Sequence, residues 1–212
     1  MELPSPPLSA VEHLESPVIA PVLRTSRLVL RPHRMSDAAT WLRIEHDPSI
    51  RNNLHWPVRD ERQMLAHLRA RTRHTRLWQA DDFLALAVEL GGEVIGDISM
   101  HLRDVTPDSR AAEIGWLQLP RYRGHGYATE AAQAFLGFAF HTLETRWVSA
   151  VIDADNEPSI ALARRLGFTR VAQTGRKVTF LTASAPLDTF GGVRSAPADA
   201  CISCELDLCT PS

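Results

Sequence analysis

The 212-residue chain carries one lysine, two tyrosines and three cysteines, and no long apolar run. A helical membrane span needs about 20 consecutive apolar residues, so no span is expected. Positive charge is not in excess either: 23 Lys and Arg stand against 25 Asp and Glu, a net charge of −2. No global field therefore argues for nucleic acid, and any anion site must be local. Nearly all the positive charge is arginine, Lys177 being the single lysine, a bias that reflects codon composition as much as chemistry. Cys201, Cys204 and Cys209 crowd the C-terminal end. With no second Cys pair and no His nearby, they read as part of a terminal strand in a reducing cytosol rather than as a metal or redox site. The first 22 residues lack the basic and apolar segments of a secretory signal. With Pro4, Pro6, Pro7, Pro17 and Pro21, they read as a flexible tail.

What the chain does have is 44% hydrophobic and 23% charged residues, the composition of one ordinary globular domain, expected over residues 23–212. Residues 23–31 alternate as a strand, and Ser36 reads as the N-cap of a helix running to Asp47-Pro48. Residues 49–57 read as a linker, and residues 60–73 as a second helix. Strands follow at 83–90 and 93–102, with Gly91-Gly92 between them supplying the positive φ angles of a tight hairpin. A strand at 111–119 leads to a helix over 126–143, whose Ala131, Phe135, Phe138 and Ala139 share one face. A strand at 147–153, a short helix ending at Gly167 and a strand over 168–178 come next. Residues 182–200 read as a long loop before a last strand. The order predicts a mixed α/β sheet flanked by helices.

The informative stretch is "RYRGHGYATE", residues 121–130. It sits between a strand and a helix, where the first helical N–H groups lack internal partners and the macrodipole is positive. Gly124 and Gly126 let backbone approach a phosphate, and Arg121 and Arg123 offer charge-assisted hydrogen bonds, with a tight strand-to-helix turn and solvated arginines as the other reading. It is no Walker loop, because no Lys-Ser/Thr follows the second glycine, and the dinucleotide fingerprint lacks its third glycine, Thr129 standing there. A strand ending "LQLP", then "RYRGHGYATEA", then "NEPSIALARRLGF" resembles the GNAT N-acetyltransferases and, in its wording, their RimJ/RimL branch.

The resemblance implies the GNAT fold, with a splayed sheet, and acetyl-CoA as cosubstrate without a metal. It places the pantetheine along Leu117, Gln118 and Leu119, and the pyrophosphate on Arg121, Arg123, Gly124, His125, Gly126, Tyr127, Ala128 and Thr129, with Asn156 a further cofactor-side hydrogen-bonder. The implied reaction is direct attack of a primary amine, of a protein N-terminus or a small molecule, on the thioester. An antibiotic or polyamine acceptor, a longer acyl donor and a non-catalytic CoA-binding domain are the alternatives. A cytoplasmic protein is implied, without nucleic-acid or membrane partners and with a homodimer left open.

Such a reaction needs a base for the ammonium, a donor for the oxyanion and an acid for the departing thiolate. Glu113, in an otherwise apolar strand, is the candidate base, with an outward carboxylate on a half-exposed strand as the other reading, and the Leu117 N–H is the candidate oxyanion donor. Neither Tyr122 nor Tyr127 stands where the family's tyrosine acid belongs, a place held by Ala163. The RimJ/RimL pattern implies Ser159 as the acid instead, with capping of its helix as the other reading. Asn52, Asn53, His55 and Trp56 are candidates to line the acceptor pocket. Residues 49–57 hold no carboxylate, which argues against a strongly cationic acceptor. The family's short terminal hairpin is expected to be replaced here by residues 182–200.

Overall fold

A computed structural model describes residues 13–184. In chain order the elements are β1 (His13–Ile19), β2 (Leu23–Arg24), β3 (Leu28–Pro32), α1 (Ala38–His46), α2 (Pro48–Leu54) and α3 (Glu61–Arg71). Then come β4 (Arg76–Gln79), β5 (Phe83–Leu90), β6 (Glu93–Asp104), β7 (Ala111–Gln118) and α4 (Tyr127–His141). The chain continues through β8 (Trp147–Asp153), α5 (Glu157–Arg165), β9 (Thr169–Thr174) and β10 (Lys177–Ala183). The main sheet has eight strands in the order β2-β3-β5-β6-β7-β8-β10-β9. Its pairings are antiparallel except for β7 with β8, which are parallel and joined through α4.

The two faces of the sheet are covered differently. Ala131, Ala132, Phe135, Phe138 and Ala139 of α4 are buried against Ile98, Met100, Ala112, Ile114, Val148 and Ala150. This is the apolar stripe expected from the sequence, and each large side chain buried in it stabilises the fold by roughly 1.5–3 kcal/mol. The other face is covered by α1 and α3, with a smaller core of Trp41, Ile44, Ile50, Leu68 and Leu119. Charged groups are buried there in mutual contact, although His33 Nδ1 and Arg71 Nε lack hydrogen-bond partners. Asp97 accepts from His33 at 2.7 Å and from Arg71 at 3.0 Å, and the Asp37 carboxylate accepts from both Arg31 η-nitrogens at 2.8 and 3.0 Å. Burial alone would raise the Asp97 pKa, but Arg71 and His33 outweigh it and hold the carboxyl below its ordinary value.

Several expectations are corrected. Residues 13–19, assigned to a flexible tail, form β1 and pair with β4, a four-residue strand too short to show as alternation. Trp78 Nε1 donates to the Leu14 carbonyl at 3.2 Å and fixes this pair. The 49–57 linker is largely α2: Pro48 sits in its first turn, and the Asp47 side chain accepts from the Ser49 and Ile50 amides at 2.9 and 3.1 Å. Ser36 lies inside a 3-10 turn rather than capping α1, and Asp37 accepts from the Arg34 amide at 2.8 Å instead. The single strand expected over 168–178 is the hairpin β9–β10, turning at Gly175 with β10 inserted beside β8. Residues 169–183 thus form a hairpin, without the Trp and Asp of the family's short terminal one. Cys201, Cys204, Cys209 and nearly all of the 182–200 segment lie outside the described residues.

Candidate active site

The sheet opens at its centre. The parallel pairing of β7 with β8 comprises Ala111↔Trp147, Ala112↔Val148 and Glu113↔Ser149, and stops there. Residues 114–118 of β7 remain paired with β6 on their other side. The Leu119 amide donates to the Ile95 carbonyl at 2.9 Å. Because hydrogen-bonded and non-bonded pairs alternate along an antiparallel ladder, the Asp97↔Leu117 pair is also of the bonded kind. The Leu117 amide therefore faces β6, and its carbonyl lies so near Gly96 that a Cβ there would collide with it. The backbone groups of Trp116 and Gln118 are the ones aimed into the gap. This moves the oxyanion-donor expectation off Leu117 by one residue in either direction.

At the end of this gap stands the N-terminus of α4. Gly126 is its cap, at φ 79°, and offers no side-chain cap. The first helical hydrogen bond runs from the Glu130 amide to the Gly126 carbonyl at 3.0 Å. The Tyr127, Ala128 and Thr129 amides thus precede the helix ladder and point outward. Gly124 is also left-handed, at φ 82°, and a Cβ there would meet nothing within 4 Å. The loop is a concave run of donors with empty space before it, which suits an anion. Trp116, Leu117, Gln118, Tyr127 and Ala128 line one pocket beside it, together with Val88, Gly96, Asp97 and Ala131. Gln118 Nε2 braces the loop by donating to the Tyr122 carbonyl at 2.8 Å, and the His125 ring stacks on Tyr127.

The arginines are placed otherwise than expected. Arg121 pairs with Glu93 at the start of β6 and stacks over the Tyr122 ring, while Tyr122 donates to the same carboxylate at 2.6 Å. Arg123 donates to Ser49 Oγ at 3.2 Å, linking the loop to α2. The cation that reaches the loop backbone is Arg27, which sequence reading missed: it donates to the His125 carbonyl at 3.0 Å and lies 4.5 Å over the Tyr127 ring. Arg27 is held by Glu130, which also accepts from Thr25 at 2.5 Å and Ser26 at 2.9 Å. Burial raises the Glu130 pKa, but the Thr25, Arg27 and Ser26 hydrogen bonds outweigh it and hold the carboxyl at about 2.

Ser159 and Asn156 come together at the start of α5. Asn156 Oδ1 accepts from the Ser159 amide at 3.3 Å, so it caps the helix, and Trp116 Nε1 reaches Ser159 Oγ at 3.4 Å across the gap. Glu113 lies on the opposite face of the sheet. There Glu113 and Gly115 of β7, Ser99 and His101 of β6, and Ser149 and Asp153 of β8 point the same way. Gly115 is exposed although it is mid-strand in the centre of the sheet, which marks open space above it. The Glu113 carboxylate accepts two hydrogen bonds from Arg103, at 3.1 and 3.2 Å. Burial, with Arg103 and Arg71 nearby, pushes the His101 pKa down to about 4 and keeps that ring neutral.

Of the four acceptor-pocket candidates, Asn52 and Asn53 are exposed on α2, and Trp56 packs on Trp41 and His67 at ring distances of 5.9 and 5.0 Å. His55 turns inward: its Nε2 lies 2.6 Å from Asp153 Oδ2. The carboxylate that residues 49–57 lack is thus supplied by β8, a pairing that no local pattern reveals.

A mixed sheet split between two parallel strands, with a glycine-capped helix at the mouth of the split, offers an open edge of the kind on which an extended ligand can pair. The chain belongs to the GNAT acetyltransferase family: the family model for the acetyltransferase (GNAT) domain matches residues 27–169. It is 29% identical over 147 residues to an uncharacterized N-acetyltransferase, p20, of Bacillus licheniformis, covering 69% of this chain and 81% of that protein. It is 33% identical to the spermidine N(1)-acetyltransferase of Escherichia coli over a shorter stretch of 81 residues, 38% of this chain and 42% of that one. Among solved structures, a GNAT acetyltransferase of Bacillus anthracis superposes with a TM-score of 0.65 at 21% identity, over 76% of this chain and 98% of that one.

Proposed function

We propose that the protein transfers the acetyl group of acetyl-CoA to a primary amine, either a protein N-terminal α-amino group or the amine of a small molecule, by direct attack in a ternary complex. The observation that carries this reading is the open edge of β7, with the Trp116 and Gln118 backbone groups free of β8 and directed toward the glycine-capped N-terminus of α4. A pantetheine arm fits such an edge as a strand does, and its pyrophosphate fits the Tyr127–Thr129 amides, where no Cβ from Gly124 or Gly126 intrudes. Bound there, acetyl-CoA supplies an activated thioester. The protein's part is to bind it, orient it and manage the acceptor's protons.

The two faces of the gap divide the work. On the α4–α5 face, Ser159 stands where a departing thiolate can receive a proton. On the opposite face, Glu113, hydrogen-bonded to Arg103 at the closed end of the split, takes the ammonium proton, directly or through a water. An outward amide of β7 serves the oxyanion. The RimJ/RimL wording of the phosphate loop favours an α-amino acceptor, and the cytoplasm, where acetyl-CoA and nascent N-termini meet, is the compartment that suits it.

The test is thiol release from acetyl-CoA across a panel of N-terminal peptides, diamines and aminoglycosides, with succinyl-CoA as a second donor. Amine-dependent release of free CoA, with mass gain on one acceptor, is expected. Tight acetyl-CoA binding without release on any acceptor would reject transfer in favour of a CoA-binding role.

A further inference from the structure

The contact between His55 and Asp153 joins groups 98 residues apart, and it occupies a particular place. Asp153 ends β8, four residues beyond Ser149, where pairing with β7 stops. At about 3.3 Å per residue that is about 13 Å up the open side of the split. By alternation, Asp153 shares the face of Ser149 and Glu113. His55 comes from the other flank: it follows α2, whose Ile50 and Leu54 pack with Leu117 and Leu119 at the end of β7. The His55–Asp153 hydrogen bond therefore spans the mouth of the split on the acceptor side.

The pair is built for one side chain orientation. Asp153 is 6% exposed, and its second oxygen lies 3.2 Å from Lys177 Nζ without completing a hydrogen bond. Because a carboxylate oxygen can only accept, its first oxygen takes a hydrogen bond from His55 Nε2 and turns the ring. The other ring nitrogen, Nδ1, has no hydrogen-bond partner among the described residues and sits on a side chain that is half exposed. The backbone conforms to this arrangement at a cost. His55 is in the left-handed region, φ 51° and ψ 32°, at a helix C-terminus where glycine is the usual residue.

We infer that His55 is an acceptor-binding residue: its Nδ1 accepts an N–H from the amine substrate at the mouth of the split, and Asp153 is the positioning residue that sets the ring's tautomer and direction. The inference rests on the proposed transfer reaction and names the group that meets the acceptor in it. The substrate it implies presents an N–H donor some distance from the reacting nitrogen, such as the peptide or side-chain N–H of an N-terminal segment or the second amine of a diamine. A monoamine with no second donor gains nothing from His55.

The left-handed backbone provides a clean variant. His55→Gly removes the ring at a position whose φ suits glycine, so the fold should be kept. On the acceptor found in the amine panel, His55→Gly and Asp153→Asn should each raise the acceptor KM about 10- to 100-fold, with kcat and the acetyl-CoA KM within about twofold. The double variant should be no worse than His55→Gly alone, because Asp153 acts through the ring. For a short monoamine, all the variants should match the wild type. If His55→Gly has a lower Tm or a changed acetyl-CoA KM while the acceptor KM stays put, the pair is only a structural pin and the inference is wrong. Equal losses for monoamine and extended acceptors would also overturn it. Wild-type protein that transfers to no amine sinks the transfer reaction itself and this inference with it, whereas transfer with unaltered variants sinks the inference alone.

Discussion

The phosphate cradle is open to a quantitative test through Gly126. At φ 79° this residue is in a conformation that costs an L-amino acid about 1–2 kcal/mol. A Cβ there would lie 3.5 Å from Arg27 Nη2, an ordinary contact, so Gly126→Ala should fold with no clash to relieve. Gly91, in the β5–β6 turn, makes the matched control: its φ is 57°, and a Cβ would meet nothing within 4 Å. Both alanine variants should lose about 1–2 kcal/mol, a fall in Tm of about 2–8 °C at roughly 2–4 °C per kcal/mol for a chain of this size. Only Gly126→Ala places a methyl group beside the Tyr127 and Ala128 amides, where the proposed function puts a phosphate. Loss of one hydrogen bond to a charged group is worth about 1.5–3 kcal/mol, or about a 10- to 100-fold weaker Kd for acetyl-CoA. Calorimetric titration of both variants, beside their melting curves, separates the two effects. Equal acetyl-CoA affinity in Gly126→Ala and Gly91→Ala would show that the strained glycine serves the turn and not the ligand.

Ser159→Ala should lower kcat at unchanged acetyl-CoA affinity if the hydroxyl protonates the thiolate; a normal rate would reduce that hydroxyl to its contact with Trp116 Nε1, since the capping bond to Asn156 uses the Ser159 amide and survives the change. Glu113→Gln keeps an acceptor for Arg103 but removes the charge, so amine transfer should slow about 10²- to 10⁴-fold, with the defect shrinking as pH approaches the acceptor's own pKa. A rate profile flat and equal to wild type from pH 6 to 9 would dismiss Glu113 as the base. Glu130→Gln should weaken the docking of Thr25, Ser26 and Arg27 on α4, with a cost of about 1.5–3 kcal/mol in melting experiments. Because the folded carboxyl is held at about 2 against an ordinary 4.5, this contribution is complete above pH 4.5 and is lost as pH falls toward 2. The variant's deficit should vanish over that window. His101, whose folded pKa is about 4 against 6.5, adds a second acid-side loss, since protonation below pH 6.5 favours the unfolded chain.

The elements that were legible in the sequence are those whose signals are local. The stripe of α4, the Gly91-Gly92 hairpin and the apolar runs of β5 to β8 are all written within a dozen residues. β4 and α2 were not legible for opposite reasons. Four residues are too few to display a period of two, and in α2 the two apolar residues that pack, Ile50 and Leu54, are surrounded by Ser, Arg and Asn, so no stripe stands out. Only Asp47 followed by Pro48 signals its start, and a proline after an aspartate reads equally well as the end of α1. The β9–β10 hairpin was hidden by its exposed side: every residue of β9 faces solvent, which erases the alternation that marks a half-buried strand.

The same distinction divides the candidate site. A phosphate cradle is made of consecutive backbone amides, so its residue types and its geometry share one segment, and the glycines can be read in place. The acceptor face is assembled from single side chains on separate strands and helices: Glu113 with Arg103 ten residues away, His55 with Asp153 across the split, and Arg27 with Glu130 across 103 residues. None of these pairs leaves a spacing to recognise, because the distance that matters is set by strand order and register. Side chains that discriminate among acceptors can therefore change one at a time without disturbing the cradle. A family that keeps one cofactor and varies its amine needs that freedom. It follows that exchanging α2 and the end of β8 together, residues 47–56 with 151–155, should redirect acceptor choice while the affinity for acetyl-CoA holds. Moving either segment alone should break the His55–Asp153 contact and weaken every extended acceptor alike.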